Sequence, residues 1–190
     1  MKELTELLSL LDADSSVNTI KSTFSEIAEI LLLKSYIQTA NGNYRLLEIE
    51  FYFYNKIHKD IVTMSRTEKA GMWWLHNWGV DISFKSEQLI DKQRDFYGGI
   101  LIRSIVELNG EDVISGPQNC CWQLFYSSAL EHNMAPKIII NDEGKAFEGE
   151  IGRTKRYITG KTQGIDADYR FFVKGIKLNI DSKYKASPWK

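Results

Sequence analysis

Apolar positions repeat with a helical period at the start of the chain and with a strand period from its middle onward. Leu4, Leu7, Leu8 and Leu11 fall three and four residues apart, which predicts a short amphipathic helix. After the break Asp12-Ala13-Asp14, either Ser15 or Ser16 can cap a second helix. Its stripe is Ile20, Phe24, Ile27, Ala28 and Leu31, and it is expected to end before the turn signal Asn41-Gly42-Asn43. Nothing in these two helices points to chemistry beyond packing.

From Tyr44 the period becomes two. In Leu47-Glu48-Ile49-Glu50-Phe51-Tyr52-Phe53-Tyr54 the odd positions are apolar and the even ones carry two carboxylates and two phenols. Further strands are predicted over 79–84, 99–106, 137–141 and 169–180. A helix is predicted after Gly116-Pro117, through Cys121, Leu124, Phe125 and Leu130, with the proline in its first turn. Helices first and strands afterwards give an α+β class with a mixed or antiparallel sheet. With no interior linker or repeat, 190 residues read as one domain over 1–190: a helical extension over 1–40 and a body over 44–185.

Composition narrows the function classes. Apolar residues make up 43% and charged ones 26%, enough to bury a core and too apolar for a disordered chain. The longest apolar run of the second helix, Ile30 to Leu33, is too short to cross a bilayer, and acidic residues interrupt the start before any apolar stretch. The expectation is a cytoplasmic protein with no membrane partner. Cys120 and Cys121 are neighbours, a poor geometry for a disulfide. His58, His76 and His132 share no ligand spacing with them, so neither a metal nor another cofactor is expected. The oligomeric state leaves no mark on the sequence.

Charge is unevenly spread. Residues 150–190 carry 10 basic and 4 acidic side chains, net +6, on a chain whose total is −1. A basic end on an acidic body is either a phosphate-facing surface or a solvated edge. Nucleotide-binding motifs fail on inspection. Gly160-Lys161-Thr162 imitates the end of a phosphate-binding loop, but Lys155 stands where its first glycine is required. A dinucleotide-binding glycine fingerprint and a nucleophile elbow are both absent.

The strand carrying Glu48, Glu50, Tyr52 and Tyr54 is where chemistry is concentrated. Spacing alone reads these four as the solvent-facing side of an amphipathic strand. Composition offers another reading, because phenols beside carboxylates can stack a flat ring and hold a water next to a base.

Leu47-Glu48-Ile49-Glu50-Phe51-Tyr52 resembles the Val-Glu-Thr-Glu-Ala-Tyr strand of the alkyladenine (3-methyladenine, methylpurine) DNA glycosylases. Three more strings follow in that family's order. Gly99-Ile100-Leu101-Ile102-Arg103-Ser104 resembles its Gly-Ala-Val-Leu-Ile-Arg-Ala strand. Gly116-Pro117 with Asn119 to Leu124 resembles its Gly-Pro-x-Lys-Leu-Cys-Gln-Ala-Leu helix start. Tyr169-Arg170-Phe171-Phe172-Val173-Lys174-Gly175 resembles Trp-Arg-Phe-Tyr-Val-x-Gly near its end. The four strings span residues 45–180.

The resemblance implies a single compact α+β domain around a curved, mostly antiparallel sheet, similar in outline to a formyltransferase C-terminal domain. It implies a repair hydrolase that flips an alkylated purine out of duplex DNA and attacks the sugar C1′ with water. Glu50 falls on the family's general base and Tyr52 on the aromatic that stacks on the flipped base. His58 lies near its pocket histidine and Arg103 on the arginine of its second pocket strand. The segment Met72-Trp73-Trp74-Leu75-His76-Asn77-Trp78-Gly79 is shorter than the family's tyrosine-rich stretch. Laying Trp78-Gly79 on Tyr-Gly makes Trp78 the wedge candidate, and Asp81 stands in for a pocket asparagine. Alternatively Trp73, Trp74 and Trp78 belong to the core or the pocket wall. Two other functions fit the same residues: a non-catalytic nucleotide- or ligand-binding module, and an N-glycosidase for nucleosides or RNA. The repair reading requires Glu50 and Tyr52 to open into a pocket rimmed by residues 153–174.

Overall fold

Ser16, rather than Ser15, caps the second helix: its hydroxyl oxygen accepts the Thr19 N–H at 3.1 Å. Ser15 turns instead to Asp12, donating to Oδ1 at 2.8 Å. The computed structural model describes residues 2–88, 94–126, 134–141, 147–156, 158, 165 and 167–176. Helix α1 spans Lys2–Leu10 and α2 spans Val17–Glu29, burying Ile20, Phe24, Ile27 and Ala28. The helix ends before Asn41, as expected, and well short of it. One π-helical turn, Ile30–Lys34, leads into strand β1, Ser35–Gln38. There Ser35 and Ile37 are buried while Tyr36 and Gln38 are not, the alternation of a strand.

Strand β2, Asn43–Tyr54, returns antiparallel to β1 through a turn closed by the Thr39 N–H on the Gly42 carbonyl at 2.9 Å. The remaining strands are β3 (Trp73–His76), β4 (Gly79–Ser83), β5 (Tyr97–Glu107), β6 (Val113–Ser115), β7 (Lys137–Ile140), β8 (Ile151–Thr154) and β9 (Arg170–Val173). Helix α3, Pro117–Cys121, carries proline in its first turn and continues as a π-helical turn over Trp122–Tyr126. Leu130 of the expected helix and 177–180 of the expected last strand lie outside the described residues.

All the described strands join one antiparallel sheet in the order β3-β4-β5-β2-β1-β7, with β6 on β5, β9 on β2 and β8 on β9. The α+β class and the antiparallel sheet match the expectation. β2 is central, flanked by β5 on one side and by β1 and β9 on the other. Its pairing with β5 shifts register twice, between Leu46 and Glu48 and between Glu48 and Ile49. The first shift changes the phase of the strand. Tyr44 and Leu46 are buried before it, and Leu47, Ile49, Phe51 and Phe53 after it.

Residues directly opposite one another share a face of a sheet. Trp73, Ile82, Ile100 and Phe51 therefore form one row, on the face covered by the helices. Phe24 of α2 stacks on Phe51 with ring centroids 4.4 Å apart, and Phe84 lies 5.8 Å from Phe24. The first 40 residues thus pack on the body through the same core. The opposite face carries the row Trp74, Asp81, Leu101, Glu50, Arg170 and Thr154. Among the described residues, no helix is long and apolar enough to cross a membrane.

A buried charged cluster as the candidate functional site

Glu48 and Glu50 are not on a wetted strand face. Their residues are 2% and 0% exposed. The amphipathic-strand reading fails because β2 is central and both of its faces are covered along 46–51. Two buried carboxylates need partners, since an unpaired charge inside a protein is costly. Tyr52 donates its hydroxyl hydrogen to Glu50 Oε2 at 2.8 Å, and Arg103 Nη1 donates to the same oxygen at 3.2 Å. Arg170, directly opposite Glu50 on β9, donates through Nε to Glu48 Oε1 and stands 3.9 Å from Glu50 Oε1. Ser104 closes the cluster with a 2.8 Å hydrogen bond to Glu48 Oε2.

The second register shift explains how one arginine reaches two carboxylates. On β5, Ile102 faces Ile49 and Ser104 faces Glu48, leaving Arg103 as the extra residue between those pairs. Its side chain contacts Glu50 through Nη1 and lies 3.4 Å from Glu48 through Nε. Burial pulls the Arg103 pKa down, but the Glu50 and Glu48 carboxylates outweigh it and hold the guanidinium above its ordinary value.

Tyr52 is covered on one ring face by Arg156. The Arg156 guanidinium sits 4.5 Å from its ring centroid. Arg156 is itself fixed by a fork onto Asp60, at 2.6 and 2.9 Å, and by the Phe51 carbonyl at 3.0 Å. Burial, followed by the Glu50 charge, pushes the Tyr52 phenol well above its ordinary pKa. The phenol is therefore a fixed donor to Glu50 at any physiological pH. Tyr52 and Arg103 keep partial exposure, so the cluster meets solvent past these two side chains.

Asp81 lies two strands away on the same row. It pairs with Arg66 Nη1 at 2.7 Å and with His76 Nε2 at 3.1 Å. His76 Nδ1 accepts the Trp78 N–H at 3.2 Å, so the proton is on Nε2 and points at Asp81. Arg66 also covers the Trp74 ring at 3.7 Å. Glycine at 99 makes this possible, because a Cβ there would stand 2.3 Å from Arg66 Nη1 and 2.7 Å from Asp81 Oδ2. Trp78 sits in the β3–β4 turn and is 65% exposed, which excludes the core. Trp73 does pack inward, donating Nε1–H to the Pro136 carbonyl at 2.8 Å and meeting Phe125 edge-on.

His58 is buried but faces elsewhere. Its Nδ1–H donates to the Phe53 carbonyl at 2.7 Å, leaving Nε2 to accept the Tyr169 hydroxyl at 2.8 Å. Tyr169 meets Phe24 edge-on, on the helix-covered side of the sheet. A cavity of about 400 Å³, lined by Phe24, Tyr169, Phe171 and Arg153 among others, opens there too. The register Ile49, Phe171, Arg153 fixes it on the face opposite Glu50. The segment 153–174 thus borders Glu50 and Tyr52 through Arg156 and Arg170, while this cavity looks the other way.

Of the sequence candidates, Glu50, Tyr52 and Arg103 come together directly. Asp81 shares their face, His58 lies behind the sheet near Tyr169, and Trp78 stands at a hairpin tip, its N–H on His76. Sequence reasoning passed over Asp60, Arg66, Arg156 and Arg170, whose burial follows from register and loop path rather than from any motif. Among the described residues, no group of three or more His, Cys, Asp or Glu is placed to hold a metal ion. Cys120 is a buried free thiol whose pKa burial drives far up, so it is inert as a nucleophile.

Comparison with known proteins yields one short likeness. An uncharacterized protein of Acanthamoeba polyphaga mimivirus is 30% identical over 118 residues, covering 50% of this chain and 53% of that protein. The chain therefore spans about half the length of the curated relative it matches. No family model matches the chain, and no solved structure matches it.

Proposed function

We propose that this protein hydrolyses the N-glycosidic bond of alkylated purines in duplex DNA, with Glu50 as the general base. The observation that supports this most is the setting of Glu50: a fully buried carboxylate between a phenol donor and a guanidinium, bordering the exposed edge of Tyr52. The segments that carry the family resemblance are also neighbours in space, since β2 pairs with both β5 and β9.

A flipped alkylated purine is cationic and leaves readily, so little acid assistance is needed. Glu50 takes a proton from water as the water oxygen bonds to C1′ and the sugar–purine bond breaks, its electron pair leaving with the base. Arg103 and Arg170 stand 3.2 and 3.9 Å from Glu50, beside the second carboxylate of Glu48. Tyr52 supplies the ring against which a planar base stacks, an interaction worth about 1–3 kcal/mol per base. The test is release of free methylpurine from methylated duplex DNA. Steady release supports the reading, and no release from duplex refutes it. Release from nucleosides or RNA alone would move the substrate to those.

One observation favours a second reading. Glu48, Glu50, Asp60 and Asp81 are matched by Arg66, Arg103, Arg156 and Arg170, and Arg156 already covers one face of Tyr52. Such a balanced network suits a non-catalytic module that binds a nucleotide or another planar ligand. Duplex binding that weakens steeply with salt separates a DNA enzyme from that module.

A further inference from the structure

We propose that the outer edge of β3 pairs with β3 of a second copy of this chain, joining two sheets across a two-fold axis at Trp74. The inference does not rest on any chemistry at Glu50. Among the described residues, β3, β6, β7 and β8 each have a single neighbour in the sheet. An open strand edge is a template for pairing, and folded proteins blunt it with charge, proline or shortness. Strand β6 has three residues, and β7 and β8 carry exposed Lys137 and Arg153. Pro136 also precedes β7. Strand β3 is as short as β7 and β8, but Trp73-Trp74-Leu75-His76 holds no lysine, arginine, acid or proline.

The β3–β4 hairpin fixes which backbone groups are free. Its two-residue turn joins His76 to Gly79, and the Met72 carbonyl accepts the Ser83 N–H at 2.9 Å. Residues 72, 74 and 76 therefore bond toward β4, and Trp73 and Leu75 present their N–H and C=O groups outward. Among the described residues, none of these outward groups has a backbone partner. One antiparallel register satisfies them all. Trp73 stands opposite Leu75 of the second copy, Leu75 opposite its Trp73, and Trp74 opposite its own counterpart. The edge thus complements itself and needs no foreign sequence.

The side chains fit that register. On the helix-covered face, Leu75 is more than half exposed and would meet Trp73 of the second copy. On the other face the two Trp74 rings would adjoin, an aromatic cross-strand pair. Gln118 donates to the Asn77 carbonyl at 2.8 Å and Phe125 meets Trp73 edge-on, so α3 and its π-helical turn lie along the hairpin. There the exposed rings of Trp122 and Tyr126 stack 3.7 Å apart. These apolar surfaces add the area that a short strand pair lacks, since a standard interface buries roughly 800 Å² per partner. A net charge of −1 per chain leaves two copies without strong mutual repulsion.

The experiment is sedimentation equilibrium of the whole chain, with a circular-dichroism spectrum of each variant. The wild type should be a dimer at micromolar concentration. Leu75→Lys puts a charge into the joined edge, and Leu75→Pro removes an N–H that β4 does not use. Each should weaken dimerisation at least tenfold with the parent spectrum retained. Leu75 is exposed, so the lysine variant decides the matter even where the proline variant unfolds. Cross-linking tests the register. In a Cys121→Ser background, oxidation should join Trp74→Cys to its mate, about 4.5 Å away between Cα atoms in a non-hydrogen-bonded pair. Leu75→Cys, offset from its own mate, should stay unlinked. A wild type that is monomeric at submillimolar concentration overturns the proposal. So do dimers that Leu75→Lys leaves intact, cross-linking at 75 in preference to 74, and an edge that pairs only with a foreign peptide.

Discussion

Tyr52 and Glu50, two residues apart on one strand, are joined by a 2.8 Å hydrogen bond from phenol to carboxylate. Strand parity sends both side chains the same way, and burial keeps the phenol protonated so that the bond persists. Tyr52→Phe retains the ring and removes only the donor. Folding stability should fall by about 1–3 kcal/mol, the cost of a lost hydrogen bond to a buried charge, as read by urea denaturation. Substrate affinity should change little, whereas Tyr52→Ala, which loses the stacking surface, should weaken it at least tenfold.

Arg103 answers two carboxylates at once from its bulged position. Arg103→Met should destabilise the fold by about 3–5 kcal/mol, because it leaves buried negative charge short of a partner. Adding Glu50→Gln should restore part of that loss. A double-mutant cycle by denaturation measures the coupling, and additive effects would show that the pair does not interact.

His58 makes stability depend on pH. Burial lowers its pKa below the ordinary 6.5, so the unfolded chain binds the proton more readily than the folded one. The contribution is complete above about pH 6.5 and is lost as pH falls from there toward the lower folded-state value. Denaturation midpoints measured between pH 7.5 and pH 5 should decline, and His58→Gln should flatten that decline.

Trp78 is exposed at a hairpin tip whose N–H rests on His76. Trp78→Ala should shift stability by no more than about 0.5 kcal/mol, as surface changes usually do. If Trp78 enters the DNA stack, the same variant lowers affinity for methylated duplex severalfold. Unchanged affinity would remove it from the interface.

The sequence was legible where period and local chemistry decide structure. Its two helices, the long β2 and β5 strands and the Gly116-Pro117 helix start all show in the pattern. It was misleading at Glu48 and Glu50, because alternation reports which residues share a face and not whether that face meets water. The cover over that face comes from Asp60, Arg66 and Arg156, in segments with no regular period. Strand β1 fell inside the span 1–40 read as a helical extension, because its four residues are too few for alternation to stand out. Strands β3 and β8, four residues each, are too short for alternation to stand out, and their pairing with β4 and β9 is what defines them. Arg170 lay in a segment already singled out by resemblance, yet only the β2–β9 register puts it opposite Glu50.

The most direct measurement is single-turnover release of methylpurine from methylated duplex by the wild type and by Glu50→Gln, with circular dichroism and duplex binding recorded for both. A general base contributes roughly 10²–10⁴-fold to rate, so release by the variant should fall by at least about a hundredfold with fold and binding retained. Equal rates in the two proteins would contradict a catalytic role for Glu50.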